Sequence, residues 1–445
     1  MLIDIDRRLI LKISKYNIIV EHNNKKLAFN SRTCALAEVN ERFSSLLNSI
    51  ESKNFKKENL SEKDLKLFEN MKKGGFIIDD CLDEIELLKF HSYQGRFNTD
   101  SLRLTIAPTF NCNFACPYCY ENTKNEFMSK SVIDAICKEV HDAAEYKKRI
   151  YITWYGGEPL LAKNIVWSLS EQFLEDCEKF GAKYFARIIT NGYLIDDETV
   201  EKFKNYKITK AQVTIDGPPD IHNKRRKLKN SPKPTFETIL KNTKKLLDAG
   251  IQVDIRINVD KTNEDRIEEL LDILLSYHLE NTFVYLGPVK PYTEFCQSIS
   301  ATCLSPKSSA LKFVDTEKLL LKKGFKSDNY PWYPQAESNN CGADSISSKV
   351  IAPDGSMYKC WHDMSFPDKS IGNIKDSSKQ NGKNIMTQIN YMLFNPFKHE
   401  KCLQCNIFPI CKGGCPTTSN GVSCKMWKYN LEETLKIKYD VSLKK

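Results

Sequence analysis

The chain has 445 residues, 41% of them hydrophobic and 28% charged, which excludes a disordered polypeptide. At roughly 100 to 200 residues per domain it predicts about two to four domains with ample core. Its 66 Lys and Arg against 57 Asp and Glu give a net charge of +9 that is spread along the chain, so no nucleic-acid partner is expected. No apolar run approaches the roughly 18 residues that would span a bilayer. The opening Met1-Leu2-Ile3-Asp4-Ile5-Asp6-Arg7-Arg8 carries acids where a signal peptide needs an unbroken apolar core. A cytoplasmic protein without a membrane partner is therefore expected. Sixteen cysteines are the conspicuous excess, and in a reducing interior cysteines at CxxC-type spacing point to metal rather than to disulfides.

Residues 1–95 alternate β-rich runs, Tyr16–Val20 and Lys26–Asn30, with helical patterns around Leu36–Ile50 and Glu62–Met71. A strand-like run, Phe76–Ile78, precedes an acidic segment, Asp79–Glu86. This predicts a small α+β domain with a hairpin and two or three helices.

From Leu102 the rhythm changes. Strands are predicted at Leu102–Ala107, Arg149–Trp154, Phe185–Thr190, Ala211–Ile215, Val253–Asn258 and Thr282–Leu286. Helices are predicted at Lys130–Tyr146, Asn164–Lys179, Asp197–Lys204, Thr235–Ala249 and Glu264–Tyr277. Such βα repetition over residues 96–290 implies a parallel sheet, doubly wound or curled into a partial barrel. Either form binds ligands at the C-terminal ends of its strands. Residues 291–340 read as a loop-rich linker, 341–425 as a second cysteine-dense region, and 426–445 as a basic helix with a frayed tail.

Cys112-Asn-Phe-Ala-Cys116-Pro-Tyr-Cys119 follows the first of these strands, where a loop can wrap its thiolates around an object at the strand ends. Three thiolates at this spacing can each take one iron of a cubane and leave the fourth iron open. A zinc site, which would want a fourth Cys or His nearby, and three unrelated core cysteines are the plainer alternatives.

With this CxxxCxxC the sequence resembles the radical S-adenosylmethionine (SAM) enzymes, which implies a partial (β/α)6 TIM-type barrel. In that family the open iron chelates SAM, and an electron from the cluster releases a 5'-deoxyadenosyl radical that abstracts hydrogen from the substrate. Three further stretches match. Tyr118 corresponds to an aromatic that packs near adenine. Gly156-Gly157-Glu158-Pro159 resembles the GGEP motif that contacts the methionyl amino group; glycines let backbone approach a ligand, and a carboxylate suits an ammonium. Thr214-Ile-Asp216-Gly-Pro, followed by His222 and Arg226, is similar to a stretch in relatives that modify peptides, in which the first hydroxyl and the last arginine contact SAM. Thr214 stands where serine is commoner. Asp216 and His222 are read as caps of the following turn.

Downstream, thirteen residues separate Cys341 from Gly355 and four more separate that glycine from Cys360. Cys402-x2-Cys405-x5-Cys411-x3-Cys415 and Cys424 follow. Seven cysteines exceed one four-ligand site; two zinc ribbons would use them, but their order resembles the SPASM extension of radical SAM enzymes. The resemblance implies two auxiliary clusters, one on Cys402, Cys405, Cys411 and Cys424, the other on Cys341, Cys360 and Cys415, and hence three [4Fe-4S] clusters in all. Two departures stand out. The interval to Cys424 is short, and Gln335 occupies a position that is cysteine in some relatives, leaving either an open iron or a role for Cys296 or Cys303.

The N-terminal domain looks like the winged-helix-like peptide-recognition element of maturases of ribosomally made peptides, which captures a leader by adding a strand to a sheet edge. The function implied is a maturase that installs a thioether or carbon-carbon crosslink in a ribosomal precursor peptide with a leader, fed by an electron donor such as flavodoxin or ferredoxin. A sulfatase-type maturase forming formylglycine and a non-catalytic zinc protein are the rivals. The residue attacked is left open.

Overall fold

The computed structural model describes residues 10–122, 124–326, 332–336, 338, 341–376, 380–417 and 422–443. The segment weighed as a signal peptide and the last two residues of the tail lie outside them. The chain divides into two compact units, one made of Met1–Arg96, Pro331–Asn340 and Phe394–Lys445, the other of Phe97–Tyr330 and Cys341–Leu393. The stretches 291–340 and 341–425, each expected as one piece, are both shared between the units.

The first unit begins with strand β1 (Leu11–Ile13), the hairpin β2 (Asn17–His22) and β3 (Lys25–Asn30), and β4 (Ala35–Val39), which pairs antiparallel with β3. Helices α1 (Glu41–Glu51) and α2 (Glu62–Lys73) follow, then β5 (Ile77–Asp79), paired with β1, and α3 (Glu84–Arg96). The helix expected from Leu36 starts instead at Glu41. Leu36 to Val39 pair with Phe29 to Lys26, and Asn40 caps the helix by accepting from the amides of Arg42 and Phe43. A short apolar run fits strand and helix equally, and here a neighbouring strand with unpaired backbone groups decides.

In the second unit the six predicted strands appear as β6 (Ser101–Ile106), β7 (Arg149–Trp154), β8 (Lys183–Thr190), β9 (Ile208–Thr214), β10 (Gln252–Val259) and β11 (Phe283–Pro288). They lie side by side in chain order and in parallel. Unreversed order is the mark of a curling barrel, since a doubly wound sheet reverses direction at its switch point. The crossovers run through α4 (Lys130–Tyr146), α5 (Lys163–Phe180), α6 (Asp197–Asn205), α7 (Pro219–Arg225), α8 (Phe236–Asp248) and α9 (Ile267–Ser276). Each long helix lays an apolar stripe on the sheet, for example Val132, Ile136 and Val140 of α4, all fully buried. At about 1.5 to 3 kcal/mol per buried aliphatic side chain, this cluster is the main stabiliser of the unit.

The expected loop from Pro291 contains an 18-residue helix, α10 (Pro306–Lys323). Ser305 caps it, Pro306 suits its first turn, and Gly324 ends it in a left-handed conformation. Beyond it, β12 (Ser348–Ile351) joins β6 in parallel and extends the sheet through β13 (Ser356–Tyr358) and β14 (Gly372–Asn373), with α11 (Gly382–Met392) after them. No helix among the described residues is long and apolar enough to cross a membrane.

The chain returns to the first unit with the short helices α12 (Glu400–Leu403) and α13 (Phe408–Cys411) and the terminal α14 (Trp427–Ser442). Trp427, Leu431, Leu435 and Tyr439 pack with Ile407 and Ile410 on Val20, Leu27 and Phe29 of the hairpin. Opposite them, Phe43, Leu46, Phe68 and Met71 gather around Ala28. The small sheet is thereby covered on both faces, and β2 and β4 are its edges.

Candidate active site

A cavity of about 300 Å³ opens at the C-terminal ends of β6 to β11, where a parallel barrel presents its loops. Cys112, Cys116 and Cys119 all line it. Their loop is clipped to the chain after α7: the Ala115 amide donates to Lys227 O and the Lys229 amide to Asn113 O, both at 2.9 Å. Burial pushes all three thiols up, that of Cys112 to about 12. Desolvated sulfurs of this kind release their protons when cationic metal replaces them, so the set fits an iron-sulfur cluster. Among the described residues no three His, Cys, Asp or Glu side chains converge on the position of one metal ion. A four-iron cluster is larger than an ion and holds its thiolates apart.

Gly156 and Gly157 also line the cavity. A Cβ on Gly156 would stand 2.5 Å from Thr109 O, and one on Gly157 would collide with the carbonyl oxygens of Asn111 and Phe110, so only glycine lets this loop lie against the cysteine loop. Glu158 takes a different place from its neighbours. It is fully buried and is not among the lining residues; its carboxylate accepts from the Leu160 amide at 3.0 Å, the Thr190 hydroxyl at 2.8 Å and the Asn191 amide at 2.7 Å. In this structure it braces the loop from behind rather than facing the cavity.

Thr214, Tyr118 and Arg226 complete the lining expected from the sequence. Arg226 is buried, donates to the Tyr118 hydroxyl at 2.8 Å, lies over the Phe114 ring and keeps an Nε without a partner. The carboxylate of Asp216 does not cap the following turn as expected, because other partners take it. Its carboxylate accepts from the Tyr118 hydroxyl and, at 3.1 Å, from the Asn258 amide, and it pairs with Arg225 at 3.3 Å. It thereby ties the cysteine loop to β10. His222 does act as a turn residue: Nδ1 accepts from the Asp216 amide at 3.3 Å, and burial beside Arg226 and Arg225 holds its pKa well below the usual range.

The sequence reading missed the aromatic part of the lining. Tyr155 stacks on Trp361 at 5.5 Å, Tyr292 stacks on His362 at 4.1 Å, and Tyr120 meets His362 edge-on at 4.6 Å. Trp361 and His362 follow Cys360 directly, so the segment that β12 ties to the sheet also walls the cavity. Burial lowers the His362 pKa to about 4, which keeps the ring neutral. Only the strand ends could have signalled part of this wall, since Tyr155 directly follows β7.

The other predicted metal ligands fall in two groups. Cys402 lies near Cys411, Cys405 and Cys424, which together with burial raise its thiol pKa. Cys341 and Cys360 belong to the unit of the large sheet and Cys415 to the other. Cys296 is fully buried, its thiol directed at Thr293 O (3.4 Å) and Lys290 O (3.9 Å), and Cys303 points its own at Ile299 O (3.4 Å).

Residues 106–274 match the family model described as the Radical SAM superfamily. A cysteine-type anaerobic sulfatase-maturating enzyme of Clostridium perfringens is 24% identical over 351 residues, 71% of this chain and 88% of its own length. Its counterpart in Clostridium novyi is 24% identical over 377 residues, 75% of this chain and 96% of its own. Among solved structures, native anSMEcpe with bound AdoMet and Cp18Cys peptide superposes with a TM-score of 0.60 at 21% identity, covering 77% of this chain and 98% of that one. Streptococcus suis SuiB bound to precursor peptide SuiA gives 0.52 at 17% identity over 91% of this chain and 95% of that one. These likenesses are likenesses of fold. The matched stretch contains the cysteine triplet and most of the cavity, and the chain is an enzyme whose residues 106–274 form a radical SAM domain.

Proposed function

We propose that this enzyme modifies a ribosomally made precursor peptide, installing a thioether or carbon-carbon crosslink. The observation that carries the reading is one cavity that joins the cysteine triplet, the glycine loop, Thr214 and Arg226 to a wall of aromatic rings. In this reading Cys112, Cys116 and Cys119 hold the cluster to which SAM binds, supplying when loaded a 5'-deoxyadenosyl radical for hydrogen abstraction. Gly156, Gly157, Tyr118, Thr214 and Arg226 bind and orient SAM, and Glu158 holds the glycine loop in place. The aromatic wall exclude water from the substrate end, as reactive species require. Cys402, Cys405, Cys411 and Cys424 take one auxiliary cluster and Cys341, Cys360 and Cys415 the other. The leader pairs with an edge of the β2-β3-β4 sheet, and a flavodoxin or ferredoxin supplies electrons.

A second reading, oxidation of a cysteine or serine to formylglycine, is favoured by the two Clostridium relatives named above, which are sulfatase-maturating enzymes. Mass spectrometry separates the two. The full-length enzyme, reconstituted anaerobically, is incubated with SAM, reductant and a cysteine-containing candidate precursor peptide that carries a leader. A crosslink removes two hydrogens and keeps sulfur, whereas formylglycine from cysteine loses sulfur and gains an aldehyde that hydrazine traps. A trapped aldehyde would overturn the crosslink reading.

A further inference from the structure

The cavity is lined by a guanidinium, that of Arg256, with no ion-pair partner among the described residues; Glu121, a carboxylate that also lines the cavity, is not within ion-pair distance of it. Arg256 and Asn258 stand two residues apart on β10, so they share a face of the strand, and both line the cavity. The guanidinium lies in space left by Gly287 on β11, where a Cβ would meet its Nε and Nη2 at 2.5 Å. Nε donates to Asn258 Oδ1 at 2.8 Å, and the Tyr285 ring lies 6.0 Å away. Tyr120, Tyr292 and His362 are its other neighbours. No carboxylate among the described residues is within ion-pair distance of it; Arg225, by contrast, is met by Asp216 and Asp260. Guanidinium stays charged in a protein, and a charge withdrawn from water is costly until it is paired. Its planar fork matches a carboxylate.

Building on the peptide reading, we propose that Arg256 is a specificity-determining residue that binds a carboxylate of the substrate peptide, either an acidic side chain or a C-terminal carboxylate. Its neighbours Tyr292, His362 and Tyr120 belong to the aromatic lining, and we assign the anion it takes to the substrate rather than to SAM, an assignment that SAM affinity tests below. Binding there sets which flanking residue of the peptide is held for reaction.

The probes are radiolabelled acetyl-Ala-Xaa-Ala-amide tripeptides with Asp, Glu, Asn or Gln at the centre, and acetyl-Ala-Ala-Ala with a free carboxylate. Equilibrium dialysis is run with the full-length enzyme loaded with iron, sulfide and SAM. Acid-bearing probes are expected to bind about tenfold or more tightly than their amides, the worth of a hydrogen bond to a charged group. Comparison of the side-chain acids with the free C-terminus identifies the source of the anion. Arg256→Gln should level acid and amide, Arg256→Lys should keep part of the difference, and SAM affinity should hold in both. Equal binding of acid and amide by the wild type overturns the proposal, and this comparison decides even if the Gln variant fails to load iron. Loss of SAM affinity in a Gln variant of normal iron content also overturns it, by giving the guanidinium to SAM. Failure of all five probes to bind would overturn this proposal alone, because precursor affinity in the peptide reading rests on the leader, and that reading is tested by the mass spectrometry above.

Discussion

Single side chains divide the cavity's work between ligand binding and bracing. Cys112, Cys116 and Cys119 face the cavity, so replacing all three with Ala should abolish 5'-deoxyadenosine formation while most of the iron expected on the downstream cysteines remains. Product analysis beside iron and sulfide assays checks this, and undiminished SAM cleavage would remove the basis of the cluster assignment. His222 makes a different prediction. Burial keeps it neutral in the folded chain, whereas an unfolded histidine titrates near pH 6.5, so the unfolded state binds more protons below that value. Stability contributed by the neutral ring is therefore present above about pH 6.5 and lost as pH falls. His222→Asn keeps an acceptor for the Asp216 amide but cannot titrate. Its melting temperature should fall less than that of the wild type between about pH 7 and about pH 5.5.

Among the elements, α6 shows how a terminus is fixed. Asp196 accepts from the Thr199 amide at 2.8 Å, and Lys163 approaches it at 2.8 Å. Burial alone would raise its pKa, but Lys163 and Thr199 outweigh that and hold the carboxyl well below the usual range. The side chain is more than half exposed, so the cap and not the ion pair sets the magnitude: Asp196→Ala should cost about 1 kcal/mol at neutral pH. With a depressed folded pKa, this contribution is full above about pH 4 and disappears as pH falls further, so wild type and variant should converge in acid denaturation. The small sheet makes a prediction of its own. If a leader adds a strand, amides of β2 or of β4 should gain hydrogen-exchange protection on adding precursor, while those of the central β3 change little. Unchanged exchange in both edges would rule out strand addition.

At the scale of the whole molecule, the first unit is assembled from both ends of the chain. Removing residues 1–95 would strip Val20, Leu27 and Phe29 from Ile407, Ile410, Trp427, Leu431 and Leu435. Each of these side chains is worth about 1.5 to 3 kcal/mol when buried, so the loss exceeds what a 50-residue remnant can absorb. The truncated chain should therefore lose the iron assigned to Cys402, Cys405, Cys411 and Cys424, as well as its affinity for precursor. Retention of full iron content in a chain starting at Arg96 would show that the C-terminal segment folds alone.

What the sequence by itself determined is what local pattern encodes: the spacing of Cys112, Cys116 and Cys119, the period of the barrel's strands and helices, and the α14 pattern. Periodicity and spacing are properties of neighbouring residues and survive without knowledge of partners. Tertiary structure decided the rest. Leu36 to Val39 became a strand because β3 offered its edge. Glu158 turned inward because Leu160, Thr190 and Asn191 bring three donors to one place. Trp361 and His362 reached the cavity because β12 pairs with β6, more than two hundred residues earlier. Arg256 stands beside a gap whose existence depends on a glycine in the neighbouring strand. Each outcome turns on a contact between distant residues, and only packing chooses among such contacts.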